Sequence, residues 1–232
     1  MEKRINKFLS ESGFCSRREA DRIIEQNRVH INDTLAMIGS KVSINDIVTV
    51  DGQVIGKKDD FVYLAFNKPV GIVSTTDQSI KGNMIDYIGY SERIFHVGRL
   101  DKDSEGLILM TNDGDIVNKI LRAENNHEKE YIVEVNKKIT NDFLDKMSQG
   151  VPILNTVTKP CTVKQHTDRT FSIILTEGLN RQIRRMCDYF GYHVVSLKRI
   201  RIMHIHLDVP VGKYRSLTDQ ELSQLMETIH SK

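Results

Sequence analysis

A chain of 232 residues has room for one large domain or for a small one beside a medium one, and a hydrophobic content of 39% is enough for a packed core. The net charge of +2 makes no case for a polyanion partner by itself, and no apolar run approaches the ~18–20 residues of a membrane span. Three scattered cysteines, Cys15, Cys161 and Cys187, exclude a disulfide framework and lack metal-ligand spacing, so the expectation is reduced thiols in the cytoplasm.

The first fifty residues read as a compact helical module. Ile5, Phe8 and Leu9 fall at helical spacing, and Gly13 is placed to end that helix. SRRE starts the next one, with Ser16 as cap and Glu19 placed to reach back. Ala20, Ile23 and Ile24 form its buried stripe, which leaves Arg18 and Arg22 one turn apart on the open side. VHIND follows as a strand and turn, and DIVTVDGQVI as a hairpin about Asp51-Gly52.

IGKKDD, residues 55–60, is the best linker in the chain, dividing a domain of 1–56 from one of 61–232. The second part mixes strands and helices: FVYLAFNKP, RIFHV and GLILMT as strands, NDGDIVNKILRA as a helix, KEYIVEV as a strand, then a helix after Thr140. TVTKPCTVKQ and TFSIILT continue as strands before a helix from about Arg181 to Phe190. HVVSLKRI and RIMHIHL are two further strands, and the capping box TDQE opens a closing helix. Strands come in consecutive groups with helices between, which predicts an α+β fold with a largely antiparallel sheet.

Charge is spread unevenly. Arg4, Lys7, Arg17, Arg18, Arg22 and Arg28 gather early, and Arg181, Arg184, Arg185, Lys198, Arg199 and Arg201 gather late. Local basic patches suit a polyanion, although solvated helix faces give the same pattern.

Three stretches could carry chemistry. In GRLDKDSEGLILMT five charged residues stand directly before an apolar strand; Asp101 there could act as nucleophile, base or metal ligand, or be a turn residue paired with Arg99. In GLNRQIRRMCDYFGY, Ile183, Met186, Cys187 and Phe190 share one helix face while Arg184 lies at its boundary, able to bury its stem and offer a fork of donors. In HEKEYIVEV, Tyr131 could stack on a planar base or simply be a half-buried strand tyrosine. His204 and His206 share a strand face but lack a third ligand, so no metal is expected.

Together, GRLD…GL…LTNDG, KEY and RQIRRM, behind SRREADRIIEQ…VHIN, resemble the RsuA/RluF branch of the RNA pseudouridine synthases, with an S4-type RNA-binding domain in front. NKPVGIVSTT, HEKEY and GLNRQIRRM are most similar to the enzymes of that branch that act on large-subunit ribosomal RNA. The resemblance implies an isomerase without cofactor or metal, built from a small S4-like α/β domain and a catalytic domain whose mixed, largely antiparallel sheet is flanked by helices. It implies that Asp101 is the nucleophile, that Tyr131 lies against the target base, and that Arg184 pairs with Asp101. Arg4, Lys7, Ser16, Arg17, Arg18, Arg22, Arg99, Arg181 and Arg185 are the expected RNA contacts.

The expected partner is ribosomal RNA, 23S in the first place, with no membrane and the protein a monomer. The same chemistry on small-subunit RNA or a transfer RNA, a non-catalytic ribosome-assembly factor, and a carboxylate-dependent hydrolase are the alternatives. A flipped uridine needs an aromatic neighbour and an apolar wall to retain the detached base, a wall that Leu107 to Leu109 could supply. Ser104 stands where the branch more often has threonine, Leu179 and Asn180 where many members are more basic. Asn27 and Asp33 replace glycines at turns, and both residue types tolerate left-handed backbone.

Overall fold

The computed structural model describes residues 2–56, 61–121 and 126–230. Residues 57–60 of the expected linker and 122–123 of the expected helix lie outside these. The described residues fall into two compact units: the smaller runs to Val62 and includes 91–93 and 112–114, and the larger holds the rest.

In the smaller unit, β1 (Lys3–Arg4) leads into α1 (Ile5–Glu11) and α2 (Arg17–Glu25), followed by β2 (Val29–Ile31), β3 (Thr34–Leu35), β4 (Lys41–Val42), β5 (Val48–Val50) and β6 (Gln53–Val54). The Ser16 hydroxyl accepts the Glu19 N–H at 3.1 Å and starts α2, while the Glu19 carboxylate turns to Arg22 instead of back to the cap. Ile5, Leu9, Ala20, Ile23 and Ile24 bury their stripes against Val29, Val42, Val48 and Val50. Asp51 and Gly52 both have positive φ, the conformation a two-residue hairpin with right-handed twist demands. Asn27 and Asp33 take φ of 58° and 64°, so the short polar side chains do occupy left-handed positions.

The larger unit runs through β7 (Tyr63–Lys68), α3 (Met84–Ile88), β8 (Phe95–Val97), β9 (Glu105–Thr111), α4 (Gly114–Leu121), β10 (Lys129–Val135) and α5 (Asn141–Ser148). It continues with β11 (Pro152–Ile153), β12 (Thr156–Val157), β13 (Thr162–Gln165), β14 (Thr170–Leu175), α6 (Gln182–Tyr189), β15 (Val194–Ile202), β16 (Ile205–His206), β17 (Tyr214–Ser216) and α7 (Asp219–His230). One sheet has the order β13-β14-β10-β15-β9-β7-β17, with β16 beside β15 and β8 beside β9. All of its pairings are antiparallel except β9 with β15, so the fold is α+β with a mixed, largely antiparallel sheet.

Two expected elements differ. The stretch TVTKPCTVKQ is broken at Pro160, which lacks the N–H a ladder needs, and its halves join different sheets. HVVSLKRI and RIMHIHL share one long strand, β15, that ends where Met203 (φ 54°) turns the chain into β16; His204 therefore sits in a turn and shares no strand face with His206.

The core is laid down on both sides of the parallel junction. Val133, Phe143, Met147, Phe171, Ile173 and Met186 close one cluster. Leu107, Leu109, Ile116, Ile120, Ile205 and Leu225 close the other. Burial on this scale, at roughly 25 cal/mol per Å² of apolar surface, gives a rigid frame on which a loop can be held.

Candidate active site

The loop between β8 and β9 carries the crowded charges. Its backbone is fastened on both sides of Asp101. The Ser74 hydroxyl donates to the Leu100 carbonyl at 2.7 Å and accepts the Leu100 N–H at 3.2 Å, the Ser104 N–H donates to the Asp101 carbonyl at 3.0 Å, and the Gly71 N–H donates to the Lys102 carbonyl at 2.7 Å. Asp101 is thus presented from a loop with little freedom, its side chain 32% exposed.

Its neighbours are occupied with one another. Arg181 forks onto Asp103 through two hydrogen bonds of 3.1 Å, and that fork holds the Asp103 carboxyl below the usual carboxylate range. Arg184, its side chain 11% exposed, gives Nη2 to the Asp103 carbonyl at 2.8 Å and to the Ser104 hydroxyl at 3.3 Å, with Nη1 3.4 Å from the Val194 carbonyl. Glu105 pairs with Lys198 at 2.8 Å across the parallel junction.

The expected Arg184–Asp101 pair is not formed in this structure. The buried stem of Arg184 brings its head to the start of β9, where the backbone of Asp103 takes the donors, and the guanidinium nearest Asp101 is that of Arg181, 3.6 Å from its carboxylate.

Asp101 and Tyr131 line one cavity of about 790 Å³. Tyr131 lies on β10, opposite Ile173 of β14 and Arg199 of β15. Leu100, Leu175, Ile183, Leu197 and Ile202 are among the cavity's apolar lining. Leu107 and Leu109 are not part of it; they are buried in the core cluster with Ile116 and Leu225.

Three buried cations stand around this loop and cavity. Lys68, 0% exposed, donates to the carbonyls of Pro69 and Ile72 at 2.8 and 2.9 Å; burial pulls its amine down to about 8 against the attraction of Asp101. Lys129, which lines the cavity, donates to the His127 carbonyl at 3.0 Å, and burial, with Arg199 adding repulsion, pulls it down to about 8 as well. Arg199 is 3% exposed, gives Nε to the Leu107 carbonyl at 2.6 Å, and holds its guanidinium carbon 6.0 Å from the Tyr131 ring centre.

Sequence reasoning missed Ser74, Lys68, Lys129 and the role of Arg199. A signal existed for the charged pair on the strands. Lys129, Tyr131, Val133 and Val135 are the inward-facing set of β10, and a lysine in such a set has to be accounted for.

The expected RNA contacts are dispersed. Arg4, Ser16, Arg17 and Arg18 are exposed in the smaller unit. Lys7 pairs with Glu11 at 3.3 Å and Arg22 with Glu19 at 3.1 Å. In the larger unit Arg99 is exposed and lines the cavity, as does Arg181, while Arg185 is bonded to Asn180 at 3.0 and 3.2 Å. Among the described residues no three His, Cys, Asp or Glu side chains gather as a metal site, and no helix is long and apolar enough to cross a membrane.

Comparison with known proteins supplies a second line. Residues 62–189 match the family described as RNA pseudouridylate synthase, and residues 3–48 match the S4 domain. A protein of Salmonella typhi named dual-specificity RNA pseudouridine synthase RluF is 57% identical over 97% of this chain and 79% of its own length. The protein of the same name from Escherichia coli K12 is 55% identical over 98% of this chain and 80% of its own length. Among solved structures, a crystal structure of a pseudouridylate synthase superposes with a TM-score of 0.70 at 28% identity, covering 96% of this chain and 99% of the other.

Proposed function

Because this chain belongs to the RNA pseudouridine synthases, isomerases that turn uridine into pseudouridine, we propose that its substrate is a uridine of large-subunit ribosomal RNA and that Asp101 is its nucleophile. The observation that carries the assignment of Asp101 is its placement: a carboxylate on a loop fastened at Leu100, Asp101 and Lys102, opening onto the same cavity as Tyr131. A flipped uridine stacked on Tyr131 recovers part of the stacking it loses on leaving the RNA. The apolar lining of Leu100, Leu175 and Ile183 retains the base after its bond to ribose is broken.

Arg184 acts through the loop. By holding Asp103 and Ser104 it keeps Asp101 aimed, which makes it a positioning residue. The unit of residues 1–56 grips RNA through Arg17 and Arg18, whose exposed guanidiniums suit phosphates, and the protein works as a monomer in the cytoplasm beside its ribosomal RNA. The relatives are named for a dual specificity, and this reading extends to the present chain a second target in another RNA.

Pseudouridine mapping of total RNA tests this, in cells lacking the protein and complemented with wild type or Asp101→Asn. One large-subunit site should lose its modification and regain it with wild type alone. A second site in small-subunit or transfer RNA behaving the same way establishes the dual target. Restoration by Asp101→Asn overturns the nucleophile, and an unchanged map favours an assembly factor.

A further inference from the structure

Resting on that reading of the cavity, we propose that Arg199 is a catalytic residue that stabilises the detached uracil, its Nη2 donating to a carbonyl oxygen of the base while the base carries negative charge. The hydrogen bonds of the Arg199 guanidinium are incomplete. Nε of Arg199 is fixed on the Leu107 carbonyl at 2.6 Å, yet Nη2 is buried and has no partner among the described residues. A buried charged donor left unpaired costs more than an ordinary hydrogen bond is worth, so a side chain held this way is poised for an acceptor that comes from outside.

The location says which acceptor. Arg199 lines the cavity together with Asp101 and stands opposite Tyr131 in the strand register, 6.0 Å from its ring. A base lying against Tyr131 therefore brings its carbonyl oxygens, not the phosphate of its nucleotide, to the guanidinium. Exposed Arg99, on the same cavity, is the group suited to phosphate. Lys129 adds a second buried basic group to the cavity, where Asp101 and Glu177 are the carboxylates.

The chemistry supplies a transient anion. When Asp101 bonds to C1′, or removes the neighbouring ribose proton, the N1–C1′ bond breaks and its electron pair leaves with the base. The resulting uracil anion shares its charge among N1, O2 and O4. It then turns, C5 supplies the pair that bonds C1′ as the carboxylate leaves or the ribose proton returns, the C5 proton is lost and N1 gains one. Atoms and charge balance between uridine and pseudouridine. A preorganised donor at O2 or O4 acts when the charge has developed and little before, which is the condition for accelerating the step.

The test uses the full-length protein and an unmodified large-subunit ribosomal RNA transcript. It follows single-turnover pseudouridine formation at saturating enzyme, the RNA Kd and thermal unfolding for wild type, Arg199→Gln and Arg199→Lys. The expected result for Arg199→Gln is a rate loss on the order of 100-fold or more with Kd within about threefold. Arg199→Lys should lie between, since one ammonium cannot hold the Leu107 carbonyl and reach the base together.

A folded Arg199→Gln protein within threefold of the wild-type rate overturns the proposal, and so does a loss confined to Kd, or a folded lysine variant as slow as the glutamine one. Should Arg199→Gln fail to fold, the lysine variant decides: a partial rate loss at unchanged Kd supports the proposal, and a full rate overturns it. No pseudouridine with wild type overturns the functional reading and the proposal with it, whereas an active wild type with an equally active Arg199→Gln overturns the proposal alone.

Discussion

Gly106 and Arg199 face each other in the parallel pairing of β9 with β15, and the approach is so close that a Cβ on Gly106 would lie 2.6 Å from the Arg199 nitrogen and nearer still to its carbonyl oxygen. The φ of Gly106, +118°, is one that side-chain-bearing residues avoid. Both facts follow from the same junction, the one place where the sheet stops being antiparallel, directly after the Asp101 loop. Gly106→Ala should therefore destabilise the protein by ~3 kcal/mol or more, through backbone strain and separation of the two strands. Chemical denaturation checks this, and an alanine variant of wild-type stability means the junction has slack that this geometry denies.

The loop behind Asp101 depends on two arginines of unequal depth. Arg184 is largely buried and spreads its donors over three acceptors, whereas Arg181 is exposed, forks onto Asp103 and stands 3.6 Å from the Asp101 carboxylate. A lysine cannot reproduce a fork. Arg184→Lys should lower the single-turnover rate by roughly 10- to 100-fold with RNA affinity kept, and Arg181→Lys by about tenfold or less. Equal effects of the two substitutions would mean that burial does not set their weight.

Much of this was legible in the chain. The stripe of Ala20, Ile23 and Ile24, the Ser16 cap and the Asp51-Gly52 turn are local, so spacing and turn chemistry reveal them. The GRLD, KEY and QIR stretches marked the loop, β10 and α6 that line the cavity. What stayed hidden depends on register between distant strands. Arg199 meets Tyr131 only because β15 lies beside β10, and Ser74 meets Leu100 only after the chain has crossed the sheet. The choice of Asp103 by Arg184 is likewise a matter of a few ångströms, beyond what a helical wheel resolves.

The exposed arginines of α2 give a prediction in salt. Arg17 and Arg18 stand in solvent, while Arg22 already donates to Glu19. If the first two neutralise phosphates, Arg17→Ala and Arg18→Ala should each weaken RNA binding across sequences and reduce the slope of log K against log salt by about 1, and Arg22→Ala should do less. The rate at saturating RNA should not change. Titrations at several salt concentrations decide it: unchanged slopes would place the RNA on another face.

The buried amine of Lys129 gives a prediction in pH. Burial, with the nearby Arg199 second, pulls it from an ordinary 10.5 to about 8, so between those values the folded protein has shed a proton that the unfolded chain still holds. Unfolding then takes up a proton, and stability rises with pH across that window; below pH 8 the amine is charged in both states and its burial counts in full against the fold. Lys129→Met should be more stable than wild type at pH 7, and its advantage should shrink between pH 8 and 10.5, by up to about 3 kcal/mol. Lys68, held at about 8 by the same cause, will leave its own rise in both proteins, so the variant's curve flattens without becoming level. Denaturant unfolding at pH 7, 8.5 and 10 reads the difference directly. A constant gap between the two proteins across that range would show that Lys129 keeps its proton in the folded state, with the cavity offering it the counter-charge that the hydrogen bond to His127 alone does not supply.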